Sequence, residues 1–257
     1  MLLEARDITK SFGGLMANNR VNFSVEQGEI AAIIGPNGSG KTTFYNVVTG
    51  ISPATSGEVK YGGTDITKSK PYAIAKLGVA RTFQNIRLFA DLTVAENLII
   101  ARHTRRKTGV LGALLGDRRV REEEAENEAA IVKYLSFVNL LDKRATTARN
   151  LPYGMQRRLE IARAMATEPG LLLLDEPAAG MNPHETDELM EIIRKLQNEG
   201  YTVVLIEHTM RLVMNIAERV AVFDHGQKIA DGPPGEVCGN PRVIEAYLGK
   251  NAYGGAV

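Results

Sequence analysis

The chain has 257 residues, 44% of them hydrophobic and 24% charged, and a net charge of +1. This is ordinary globular composition, long enough for a substantial core, and it excludes a disordered or fibrous chain. The balanced charge sets up no field that would draw nucleic acid, and the single Cys238 excludes an internal disulfide and a cysteine-built metal cage.

The first sixty residues read as β. Val21, Phe23 and Val25 alternate with polar residues, and Gln27-Gly28 punctuates them as a turn. The run Ile30 to Ile34, IAAII, fits a strand buried on both faces. A glycine loop follows, then a helix with Phe44, Val47 and Val48 on one face and Gly50 as its stop.

From about residue 93 to 168 the pattern is helical. The stretch VREEEAENEAAIVKYL predicts a helix with Glu122, Glu123 and Glu124 in its first turn, where the dipole favours acids. Its expected apolar stripe is Ala125, Ala129, Val132 and Leu135. Before it, residues 103–120 read as an inserted loop or short helix, with a small apolar patch of Val110, Leu111, Leu114 and Leu115.

After residue 170 strands and helices alternate. Leu171 to Leu174 and Thr202 to Ile206 are continuous apolar strands separated by a helix over 184–198, which predicts a parallel sheet covered on both sides. RVAVFDHGQKIADGPP reads as a terminal hairpin, followed by a short helix through Tyr247. Acidic residues interrupt the N-terminus where a signal peptide needs an apolar core, and no apolar run reaches the roughly eighteen residues of a membrane span. A cytoplasmic protein is expected, acting at a membrane only through other subunits.

Two motifs carry the chemistry. GPNGSGKTT fits the phosphate-loop pattern between a buried strand and a helix, and covers Gly35, Pro36, Asn37, Gly38, Ser39, Gly40, Lys41, Thr42 and Thr43. Polyphosphate needs several donors converging without side chains in the way; glycines turn backbone amides inward and the helix N-terminus adds partial positive charge. Lys41 is expected on the β- and γ-phosphates and the Thr42 hydroxyl on Mg²⁺. LLLLDEP then ends a buried strand at Asp175, aimed at the metal, with Glu176 beside it to polarise the attacking water. Phosphoryl transfer needs positioning and charge neutralisation above all, so ATP, Mg²⁺ and these carboxylates form a consistent set.

With those motifs in hand, the chain resembles the ATP-binding subunit of ABC transporters over essentially its whole length. The resemblance implies an α/β P-loop NTPase fold. Its mostly parallel core sheet and antiparallel β subdomain would occupy residues 1–92 and 169–257, and an inserted α-helical subdomain residues 93–168. It identifies LPYGMQRR, from Leu151, as the signature sequence, whose Tyr153, Gly154 and Met155 would close over ATP held by a second ATPase subunit, like or unlike. Pro152 stands there in place of a hydroxyl, and Tyr153 in place of a glycine. The resemblance also implies that Gln84 meets the metal and the attacking water, that His208 touches the γ-phosphate and that Phe12 stacks on adenine. Asn182 stands where the family commonly has Asp.

Within the family, the stretches GVARTFQNIRLFADLTVAENL, DEPAAGMNP and LIEHTMRLVM are similar to import ATPases for branched-chain amino acids. That implies two membrane permeases and, indirectly, a solute-binding protein, with the ATPase peripheral on the inner face of the membrane. ATPases for urea import or lipopolysaccharide export share enough of the motifs to stand as alternatives, as does a non-transport ABC ATPase.

Overall fold

A computed structural model describes residues 1–103 and 118–248. Most of the predicted insertion, with its apolar patch, lies outside the described residues.

Two sheets share the work. One has four strands, in the order β2 (Leu15–Val25), β1 (Leu3–Phe12), β4 (Ser56–Tyr61) and β5 (Thr64–Asp65), all antiparallel neighbours. Inward residues of β1 and β2, among them Leu3, Ile8, Val21, Phe23 and Val25, are almost wholly buried, which is the period-2 signature of a sheet with one face on a core.

The other sheet has six strands. Its order is β10 (Gln227–Gly232), β9 (Arg219–Asp224), β3 (Ile30–Ile34), β8 (Thr202–Ile206), β7 (Leu171–Asp175) and β6 (Val79–Arg81). All pairings are parallel except β9 with β10, the predicted hairpin. Every residue of β3, β7 and β8 is buried, as continuous apolar strands between helical layers must be. Odd and even residues divide between two cores: Ile30, Ala32 and Ile34 join one cluster, Ala31 and Ile33 the other. The second cluster includes the antiparallel sheet and Phe44, whose ring meets Phe23 and Phe223 edge-on.

Helices α1 (Lys41–Val48) and α2 (Pro71–Leu77) precede the helical region, whose described residues include α3 (Val94–Arg102), α4 (Arg118–Phe137) and α5 (Tyr153–Met165). After β7 come α6 (Pro183–Asn198), α7 (Met210–Ile216), α8 (Pro234–Cys238) and α9 (Pro241–Leu248).

The α4 expectation needs two corrections. The helix starts at Arg118, so Glu122, Glu123 and Glu124 lie beyond its first turn, which holds no acid. Its buried residues are Ile131, Tyr134 and Leu135, with Val138 just past its end; of the expected stripe Leu135 is buried, while Ala125, Ala129 and Val132 are exposed. Small alanines satisfied the periodicity, but the face bearing the larger side chains offers more apolar area to bury and so turns inward.

Helix α5 is more central than an amphipathic helix. Leu159, Ala162 and Met165 are buried, and so are Arg157, Arg158 and Glu160 on its other sides.

Candidate active site

β3 and α1 are joined by the phosphate loop. Gly35 (φ 148°) approaches the Phe223 backbone so closely that a Cβ would stand 2.0 Å from its carbonyl oxygen. Gly40 (φ 100°) is N-cap of α1, and a Cβ there would lie 2.3 Å from the Ala17 carbonyl oxygen. Both positions combine left-handed backbone with contact to unyielding main chain, so only glycine fits.

Above the loop lies a cleft of about 670 Å³, lined by residues 37–43 and reached by Phe12, Gln84 and Glu176. Its size is within the range of small-molecule sites. Phe12 is 53% exposed, a surface position unlike that of a core phenylalanine, and the Lys10 ammonium sits 4.7 Å from its ring centre. Gly35 and Pro36 do not line the cleft; their carbonyls accept from Lys41 Nζ at 2.7 and 2.9 Å. Burial lowers the Lys41 pKa, while Glu176 and Asp175 push it back up, so two carboxylates already act on this ammonium.

Glu176 follows β7 in a left-handed conformation (φ 47°), with its amide donating to Ile206 O at 2.9 Å. A non-glycine residue held there carries local strain, a feature that concentrates at functional sites. The Gln84 side-chain amide donates to Glu176 Oε2 at 3.0 Å, and His208 Nδ1 stands 3.7 Å from Glu176 Oε1. Gln84 and His208, from two other loops, thus converge on the Glu176 carboxylate. Thr42 lies across the same cleft.

Asp175 is placed differently from its neighbour. Only 3% of its side chain is exposed, it does not line the cleft, and Oδ2 accepts from Arg81 at 2.8 Å. Arg81 also donates to Asn46 of α1 and to Thr49, its C-cap, and lies over the rings of Tyr45 and Phe83. It therefore joins α1 to the end of β7. Sequence reasoning quoted it within GVARTFQN but gave it no role, because nothing in the residue order points to a partner as distant as Asp175.

Glu207 was also missed. It is wholly buried, and its carboxylate accepts from the amides of Ala178, His208 and Thr209 at 2.9, 3.0 and 3.1 Å. One acid so fixes the loops after both β7 and β8. The signal was present as an acid ending the apolar run TVVLIE.

Tyr153, Gly154 and Met155 open α5, with Pro152 at its N-cap, and do not line the cleft. Their amides have no carbonyl a turn earlier within the helix, the usual basis of an anion site. Gly154 has a packing reason as well: a Cβ would lie 2.4 Å from Glu185 Oε1. Asn182 caps α6, its Oδ1 accepting from Glu185 N at 3.0 Å in a reciprocal capping box, a role its short polar side chain fills as well as Asp would.

Beside β6 and α5 a second, largely apolar hollow of about 400 Å³ includes Ile51, Phe83, Phe89 and Ile100, with Glu160 and Arg163 in its wall. Burial raises the Glu160 pKa and lowers that of Arg163.

The family model for ABC transporters matches residues 18–179, and that for branched-chain amino acid ATP-binding cassette transporters matches residues 227–253. The chain belongs to the ABC transporter family, as one of its ATP-binding subunits. It is 46% identical to the high-affinity branched-chain amino acid transport ATP-binding protein BraF of Pseudomonas aeruginosa, over 97% of this chain and 98% of that one. Identity to LivG of Escherichia coli, a protein of the same description, is 45% over the same shares. Among solved structures it is similar to a nucleotide-free ATP-binding cassette from an ABC transporter, with TM-score 0.84 and 34% identity over 97% of this chain and 99% of that one. An ADP conformation of an ATP-binding cassette matches equally well. Among the described residues, no helix is long and apolar enough to cross a membrane.

Proposed function

We propose that this subunit hydrolyses ATP to drive import of branched-chain amino acids through partner permeases. The observation that carries the catalytic part is the convergence of Gln84, Glu176 and His208 beside the phosphate loop. The amides of residues 35–43 and Lys41 hold the triphosphate, and Phe12 packs on the adenine. Glu176 takes a proton from water as its oxygen attacks the γ-phosphorus; the bond to the β-phosphate oxygen breaks, giving ADP and phosphate. Gln84 holds Glu176 and orients the water, and His208 donates to the γ-phosphate. Mg²⁺ would be held by the oxygens of Thr42 and Gln84, which line the cleft, with the Asp175 carboxylate, bonded here to Arg81, as a further donor, and its charge would offset that of the departing diphosphate.

The half of the site that residues 35–43 lack comes from a second ATPase chain. Its Tyr153, Gly154 and Met155 amides cap the γ-phosphate, so two chains enclose two nucleotides. Residues 93–168 act as a helical unit that swings against the core formed by 1–92 and 169–257. The hollow at Phe83, Phe89 and Ile100 receives a permease segment, which its apolar wall and its position next to Gln84 suit. The subunit thereby sits on the cytoplasmic face of the membrane without entering it, and a solute-binding protein meets the permeases on the other face.

The cargo rests on the names borne by relatives 45% and 46% identical to this chain. Uptake of labelled leucine, isoleucine and valine by cells lacking this gene tests it. Wild-type protein should restore uptake and Lys41→Ala should not. Restored uptake of urea instead would assign another cargo.

A further inference from the structure

Tyr153 sits in the first turn of α5 and is 43% exposed, yet its side chain is tied into its own chain on two sides. The hydroxyl accepts from Arg157 Nε at 3.1 Å and from Nη2 at 2.9 Å, and the guanidinium carbon lies 5.4 Å from the ring centre. The ring edge packs on Gly180, in the loop after β7, where a Cβ would come within 3.1 Å of Cε1.

Arg157 has a side chain only 3% exposed, so its donors must be met inside the protein. Nη1 donates to Phe83 O at 2.8 Å and to Glu160 Oε2 at 3.3 Å, and Nη2 donates to the Gln84 backbone carbonyl. Glu160 in turn accepts from the amides of Phe83 and Arg87. The backbone around Gln84 is thus held from both sides by α5, and the Gln84 side chain reaches Glu176. Remove the Tyr153 hydroxyl and Arg157 Nε loses the acceptor it has here.

We infer that Tyr153 is a positioning residue for its own chain's hydrolytic centre. Its hydroxyl fixes the Arg157 fork, Arg157 fixes the Gln84 backbone, and Gln84 sets Glu176. This rests on the proposed role of Glu176, and it adds a side-chain function within one chain to a residue whose amide faces the partner's nucleotide. A glycine or serine at this position would supply the amide but not the brace.

Tyr153→Phe keeps the ring on Gly180 and removes only the hydroxyl. In steady-state hydrolysis by the full chain assembled with its second ATPase chain, kcat should fall by about ten-fold or more, since two hydrogen bonds to a charged group are lost, with the KM for ATP within about two-fold of wild type. In a Gln84→Ala background the same change should lower kcat no further, because both act along one path. A kcat equal to wild type, or full additivity with Gln84→Ala, would overturn the inference, as would kcat, KM and melting temperature all moving together, the mark of a purely structural role. Should Tyr153→Phe not fold, Arg157→Lys, which loses the fork but keeps the charge, carries the same outcomes. Failure of the underlying reading is seen separately, as wild-type hydrolysis by Glu176→Gln.

Discussion

Arg81 and Asp175 form an ion pair at 2.8 Å with side chains only 6% and 3% exposed. Arg81 Nε has no hydrogen-bond partner, so the pair is held by Nη1 on Asn46 and Thr49 and by Nη2 on Asp175. It is a clip between the helix that starts at Lys41 and the strand that ends at Asp175.

Breaking such a pair from one side strands the remaining charge. Arg81→Met keeps the stem but leaves the Asp175 carboxylate uncompensated, and should lower unfolding free energy by about 3–5 kcal/mol. Urea unfolding of the purified chain measures this. A loss under about 1 kcal/mol would mean that Asp175 finds another partner.

Gly35 and Gly40 should be the least replaceable residues of the loop. An added methyl at either meets main-chain oxygen at 2.0 or 2.3 Å, and backbone cannot swing aside as a side chain can. Gly35→Ala should lower fluorescent-ATP affinity by at least about 100-fold and cost stability of about 3 kcal/mol. Gly38→Ala, with open space around its Cβ position but φ 79°, should cost about 1 kcal/mol of backbone strain. Equal losses at both positions would contradict the steric account.

Pro152 caps α5 with no side-chain hydrogen bond, and it is exposed. Serine there can accept from an amide of the first turn, which is worth about 1 kcal/mol, and can offer its hydroxyl to a partner's γ-phosphate. Pro152→Ser should raise both the melting temperature and the turnover of the assembled transporter. Higher stability with unchanged turnover would confine the residue to capping its own helix.

Strongly patterned segments were legible from residue order alone. IAAII and LLLLD fitted doubly buried strands, and the glycine loop between the first of these and its helix announced a phosphate site. What escaped were interactions between residues far apart in sequence. Arg157 and Glu160, spaced three apart on a helix, resemble a solvated surface pair, and only the packing of α5 against the Gln84 loop buries them. Arg81 stands three residues before Gln84, yet its partner is 94 residues away. The stripe on α4 was misread, apart from Leu135, for a related reason: alanines fit the helical period, but the bulkier Ile131 and Tyr134 decided which face turned inward.

Closure of two chains over ATP, undone by hydrolysis at Glu176, is tested most directly by Glu176→Gln. Light scattering of that variant with Mg²⁺-ATP should give a long-lived dimer containing intact ATP, where the wild-type chain dimerises briefly and releases ADP. Hydrolysis by the variant at the wild-type rate, or an ATP-bound variant that pairs neither with its own copy nor with a second, unlike ATPase chain, would contradict the account.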